Sequence, residues 1–141
     1  DHWSDNPDFV DSWPVHCEVG TEGAAFHPAV AEVAETFDAV FRKGRFEAAY
    51  SGFEGHLASD GDTSEGDTDP TMLATWLRER GIDAVEVCGI ATDHCVRATV
   101  LDALREGFAV RLLTDTIAGV APETTQAALA EMAAAGATTD A

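Results

Sequence analysis

The segment 83–115 constrains the fold of this chain most. "DAVEVCGI" (83–90) and "FAVRLLTD" (108–115) are short apolar runs, and between them Val96, Val100, Ala103 and Leu104 recur at helical spacing over 93–106. Two strands joined by one helix close as a parallel βαβ unit, because parallel strands need a crossover long enough to return to the same end of the sheet. The class is α/β, and such sheets bind ligands beyond the carboxyl ends of their strands.

The flanking segments extend this pattern. "TMLATWLRER" (71–80) places Met72, Leu73, Trp76 and Leu77 on one helical face, with Gly81 as its stop. Pro122 opens a helix over 122–135, and "ATTDA" (137–141) suits an edge strand. Nearer the start, 28–36 reads as a short helix behind Pro28, and 38–44 as a strand ending at Lys43-Gly44. Residues 1–27 and 45–57 are irregular, and 58–70, "ASDGDTSEGDTDP", reads as a solvated acidic loop. The strand ends that matter are therefore expected at Lys43-Gly44, Gly89-Ile90-Ala91 and Thr114-Asp115.

Charge excludes whole classes of partner. The 141 residues carry a formal net charge of -18, with Lys43 as the sole lysine. Such a surface repels nucleic acid and acidic lipid. No apolar run reaches membrane-spanning length, so neither a nucleic-acid nor a membrane partner is expected, and the reading is a cytoplasmic single domain. Hydrophobic residues make up 45% of the chain and fall in periodic segments, which separates it from acidic disordered chains. The acidity suits a halophilic setting, where salt screens self-repulsion.

Three cysteines, Cys17, Cys88 and Cys95, without a C-x-x-C pair argue against a disulfide framework or a zinc cluster. Cys88 lies inside a strand run and reads as a small core residue. Cys95 instead stands where the strand turns into the helix. There it meets unpaired backbone N–H groups and the positive end of the helix dipole, which favour thiolate, and the same amides can hold an oxyanion. Lys43 at a neighbouring strand end adds a positive charge. In the N-terminal loop, His2 and His16 lie among acids and aromatic rings. They suit either a Zn²⁺ or Fe²⁺ site or plain surface positions.

Three stretches, "SWPVHCEVGTEGAAFHP" (12–28), "FRKGRFEAAYSGFEG" (41–55) and "GIATDHCVRATVLDA" (89–103), resemble successive motifs of the nicotinamidase/pyrazinamidase family of isochorismatase-like cysteine hydrolases. The resemblance implies a three-layer α/β/α sandwich with a parallel sheet, lacking its first strand here. It implies hydrolysis of nicotinamide, and of pyrazinamide, through a cysteine thioester, in NAD salvage. Cys95 matches the nucleophile and Lys43 the lysine that polarises it. The amides of Ala91 and Cys95 match an oxyanion hole shaped by a cis bond between Ile90 and Ala91. Trp13 and Tyr50 match rings flanking the pyridine, with His94 and Ile90 beside them. His16 and, in some members, His2 match ligands of a divalent metal: zinc, iron or manganese.

The family pattern also has a catalytic aspartate and two further metal ligands, an aspartate and a histidine, ahead of the position of Asp1. None has a counterpart in the 141 residues, so the chain is expected to be an N-terminally truncated domain, inactive by itself. Two alternatives stay open. One is a sister hydrolase acting on isochorismate, a carbamoyl amide or a ureido acid; the other is a non-catalytic remnant. Either a monomer or a homo-oligomer suits the sequence. If the acidic surface is an adaptation to salt, the melting temperature rises as KCl goes from about 0.1 M to 2 M, with a flat or falling trend counting against it.

Overall fold

The computed structural model describes residues 3–10, 12–44, 47–58 and 69–140. Its centre is a parallel sheet of β4 (Ala84–Ile90), β5 (Ala109–Ala118) and β6 (Thr138–Thr139), in the order β4-β5-β6. Val85 and Val87 of β4 alternate with exposed neighbours, as do Val110 and Leu112 of β5. These four face α2 (Leu73–Glu79), α3 (Arg97–Arg105) and α4 (Pro122–Ala135). Val100 and Ala103 of α3 are fully buried there, with Met132 of α4 and Leu112 close behind. The helical spacing of 96, 100, 103 and 104 is thus the stripe that meets the sheet.

Cys88 departs from expectation. It is exposed, because it shares the opposite face of β4 with Ala84, Glu86 and Ile90. That face meets Ala109 and Arg111 of β5, and among the described residues no helix covers it. The helical layer on the other face, with the parallel sheet, agrees with the α/β class. The second layer of a sandwich is not among the described residues.

The register of β4 and β5 explains where the strands end. Val87 pairs with Leu112, but Gly89 pairs with Ile117, so β5 loops out by several residues before resuming. Asp140 holds this bulge by accepting from the Thr114 amide and hydroxyl, both at 2.8 Å. Those bonds, the backbone one first, lower the Asp140 carboxyl below its ordinary range. The strand expected to stop at Asp115 therefore runs on to Ala118. Gly119 follows, where an added Cβ would lie 1.8 Å from Thr125 Oγ1, so the loop presses directly on the first turn of α4.

A second sheet was not foreseen. β1 (Phe41–Arg42), β2 (His56–Leu57) and β3 (Asp69–Met72) form a small antiparallel sheet in that order. The strand expected over 38–44 shrinks to two residues, since β2 offers only two partners. The acidic segment supplies β3 as an edge strand, where a proline without an N–H is tolerated; the rest of that segment, 59–68, lies outside the described residues. Met72 belongs to β3 and is exposed, so the helix begins at Leu73.

The helix expected over 28–36 is α1 (Pro28–Ala31) followed by a separate 3₁₀ turn, Ala34–Thr36. It is solvent-exposed apart from Ala34 and has little core to stabilise a longer helix. Leu112→Ala is expected to lower unfolding free energy by about 2–5 kcal/mol. Cys88→Ala should stay within about 0.5 kcal/mol, as urea titrations of the two variants will show.

Candidate active site

Strand β4 ends at Ile90, just after Gly89, whose φ of +117° only glycine adopts readily, and the Ile90–Ala91 peptide is cis. The chain then enters a π-helical turn, Thr92–Val96, closed by the Val96 amide donating to the Ala91 carbonyl five residues back at 3.0 Å. Thr92, Asp93 and Val96 are buried in it, and α3 continues from Arg97. The helix expected from residue 93 is therefore two pieces, and Cys95 sits in the wider first one.

Lys43 follows β1, so it comes from the antiparallel sheet rather than from a neighbouring strand of the parallel one. Its Nζ nevertheless donates to Cys95 Sγ at 3.3 Å and to the Ala49 carbonyl at 3.0 Å. Fifty-two positions separate the two residues in sequence. The ammonium is thus fixed against the sulfur, where it stabilises negative charge on an attacking thiolate.

Three rings gather beside the thiol. His94 lies edge-on to Trp13, with centroids 5.1 Å apart, and at 5.8 Å from Tyr50. Trp13 Nε1 donates to Tyr50 Oη at 3.2 Å. The Tyr50 loop is held in turn by Glu54, which accepts from the amides of Tyr50 and Ser51 in a capping box. Thr99 completes the joint: Gly52 N donates to its hydroxyl at 2.8 Å, and the hydroxyl donates to the Cys95 carbonyl at 2.7 Å. Ile90, expected at the pocket, is 76% exposed.

The N-terminal loop reaches the same place. Trp3 bridges Trp13 in parallel, and His16 packs edge-on to Trp3 with centroids 6.4 Å apart. His16 Nδ1 lies 2.6 Å from the Pro14 carbonyl, which only accepts, so that nitrogen carries the proton. His2 lies outside the described residues. Among the described residues no three His, Cys, Asp or Glu side chains group as a metal site. They do not by themselves fit a metal.

Sequence reasoning passed over Asp93 and Thr99. Asp93 was visible as an acid two residues before the cysteine, but only burial marks it as more than a solvated charge. Nothing in the sequence signalled Thr99, whose helical position hides a bridge between distant segments.

A cysteine presented by a strand-to-helix turn against a lysine, with an aromatic cluster built on the neighbouring His94, on a parallel α/β sheet defines a candidate cysteine-nucleophile centre. The chain belongs to the isochorismatase family: the Isochorismatase domain model matches residues 2–140. It is 52% identical over 132 residues to the nicotinamidase/pyrazinamidase of Mycobacterium tuberculosis, covering 94% of this chain and 64% of that protein. Among solved structures, the pyrazinamidase of Pyrococcus horikoshii in complex with zinc aligns with a TM-score of 0.69 at 41% identity, over 91% of this chain and 62% of that one. PnC1 from L. infantum in complex with nicotinate aligns with a TM-score of 0.74 at 35% identity, over 91% and 60%. The chain thus spans less than two thirds of the length of these relatives. No helix among the described residues is long and apolar enough to cross a membrane.

If the Lys43 contact sustains the thiolate, Lys43→Met slows carboxamidomethylation of Cys95 at pH 7 by roughly 10-fold. Peptide mass analysis reads Cys95 separately from the exposed Cys17 and Cys88. An unchanged rate would remove Lys43 from the chemistry.

Proposed function

We propose that the full-length protein is a nicotinamidase, hydrolysing nicotinamide to nicotinate and ammonia, and pyrazinamide likewise, in NAD salvage. The observation that carries this is the 3.3 Å contact of Lys43 Nζ with Cys95 Sγ beneath the Trp13–Tyr50–His94 cluster. The aromatic cluster offers ring faces and edges against which a flat heteroaromatic ring can pack, which favours a pyridine over an aliphatic carbamoyl or ureido substrate. The family relatives support the same reading.

The chemistry follows from the geometry. The Cys95 thiolate attacks the amide carbonyl, and the backbone amides of Cys95 and Ala91, which the family resemblance assigns to an oxyanion hole, receive the oxyanion. Collapse breaks the C–N bond; the leaving nitrogen takes the proton the thiol gave up and departs as ammonia. Water then attacks the thioester, releasing nicotinate and returning the thiol. Lys43 balances the sulfur's charge at both stages.

Among the described residues the hydrogen bond to Cys95 Sγ is that of Lys43. The family resemblance assigns the proton-transferring acid to an aspartate ahead of Asp1. It assigns a divalent metal, such as the zinc of the P. horikoshii pyrazinamidase, to His16 and His2 with upstream partners. A metal held there would supply Lewis acidity.

In the full-length protein, Cys95→Ala is expected to abolish ammonia release from nicotinamide, while Cys88→Ala keeps the rate. Equal loss in both variants would sink the assignment of the nucleophile, and no release by the unsubstituted protein would sink the substrate.

A further inference from the structure

Three consecutive side chains of the π-helical turn are held by three different parts of the molecule. His94 joins the aromatic cluster and Cys95 meets Lys43. Asp93 turns the opposite way, is only 8% exposed, and takes no part in the reaction derived above. Its carboxylate accepts from Val120 N at 3.0 Å, Ala121 N at 3.3 Å and Thr124 Oγ1 at 2.5 Å. Burial raises this carboxyl, but the bonds from Thr124, Val120 and Ala121 together outweigh it, and the net displacement is downward.

These donors are the amino end of α4, a fourteen-residue helix. Its N-cap residue is Ala121, which has no side-chain oxygen to offer the orphan amides. Asp93, from another element, accepts instead from the amides of Val120 and Ala121 that lead into the helix and from the Thr124 hydroxyl in its first turn, and places negative charge at the positive end of the helix dipole. The bond works in both directions: it caps α4, and it ties the nucleophile turn to a helix packed in the core. A π turn is wider than an α turn and rarely persists without outside support.

We propose that Asp93 is a positioning residue for the nucleophile, pinning the Thr92–Val96 turn to the start of α4 so that the Cys95 thiol and amide stay aimed at Lys43 and the substrate carbonyl. The role in turnover rests on the nicotinamidase reading; the orientation of Cys95 toward Lys43 does not.

The test uses the full-length protein with Asp93→Asn, Thr124→Ala and Thr124→Ser. Two quantities are read in each: turnover of nicotinamide, and the rate at which iodoacetamide labels Cys95, followed by peptide mass. Asparagine keeps the shape of aspartate but sets an NH₂ against backbone donors. Asp93→Asn should lower kcat by about 10²-fold with KM within threefold, the mark of a misplaced nucleophile rather than a lost binding contact. Labelling of Cys95 should slow in parallel. Thr124→Ala should lower kcat by roughly 10-fold, and Thr124→Ser, which restores the hydroxyl, should stay within about twofold of the unsubstituted protein.

Should Asp93→Asn fail to fold, the Thr124 pair carries the test. Wild-type labelling and turnover in both Asp93→Asn and Thr124→Ala would overturn the proposal, as would equal losses in Thr124→Ala and Thr124→Ser. If the unsubstituted protein does not hydrolyse nicotinamide, the substrate reading falls, and the labelling rates, which need no substrate, still decide the role of Asp93.

Discussion

The parallel pairing of β4 with β5 under α3 and α4 is the constraint on which the rest depends. Val85, Val87, Val110 and Leu112 bury one face of that pair, and a slip of either strand by one residue would turn its two members of this set toward solvent. Fixed register fixes the end of β4, and the end of β4 fixes the turn that carries Cys95. The bulge in β5 is the complementary adjustment. It lengthens one strand against the other, so that Ile117 and Ala118 still pair beside Gly89 and Ile90 at the very edge of the site. The loop after Ala118 then brings Val120 and Ala121 against Asp93.

The candidate site straddles two sheets, and this is why it needs so many ties. Cys95 belongs to the parallel sheet, whereas Lys43 and Tyr50 belong to the small antiparallel one and its loops. Short two-residue strands cannot hold a lysine in place alone. Phe53 bridges the gap in the core, packing against Phe108 with centroids 5.8 Å apart. Thr99 bridges it in hydrogen bonds, joining Gly52 to the Cys95 carbonyl. A site assembled this way tolerates little motion between the sheets, since the Lys43–Cys95 contact is the first distance such motion would change.

Local pattern made the parallel unit legible in the sequence, because its strands and helices each bury one face and so repeat with one period. Cys95 was legible for the same reason: a strand run stopping and a helix stripe starting mark a turn. The antiparallel sheet left no such trace. Its strands are two to four residues long, too short for any period to show, and one of them emerges from an acidic segment that reads as loop. Cys88 was misread because an apolar run of four or more residues looks the same whether one face or both are buried. The π turn was invisible because the same residues suit an α-helix; what selects the wider turn is tertiary, including the pull of α4 on Asp93.

Charge sharpens the place of Lys43. Among the described residues, four arginines are engaged by carboxylates: Arg78 with Glu106, Arg97 with Glu131, Arg105 with Asp102, and Arg111 with Glu86. Three of these pairs expose both partners substantially, and Asp102 is the more sheltered member of the fourth, so they contribute little each in stability. They do lessen the local repulsion of a surface with 26 acidic residues. Lys43, the sole lysine, is used differently. Its ammonium donates to a backbone carbonyl and to the sulfur. A carboxylate in that position would neutralise it; a neutral carbonyl orients it and leaves its charge available to the sulfur. In a molecule so rich in acids, holding one cation apart from them is itself a structural requirement. The half-buried setting of Lys43 and the Ala49 carbonyl meet it together.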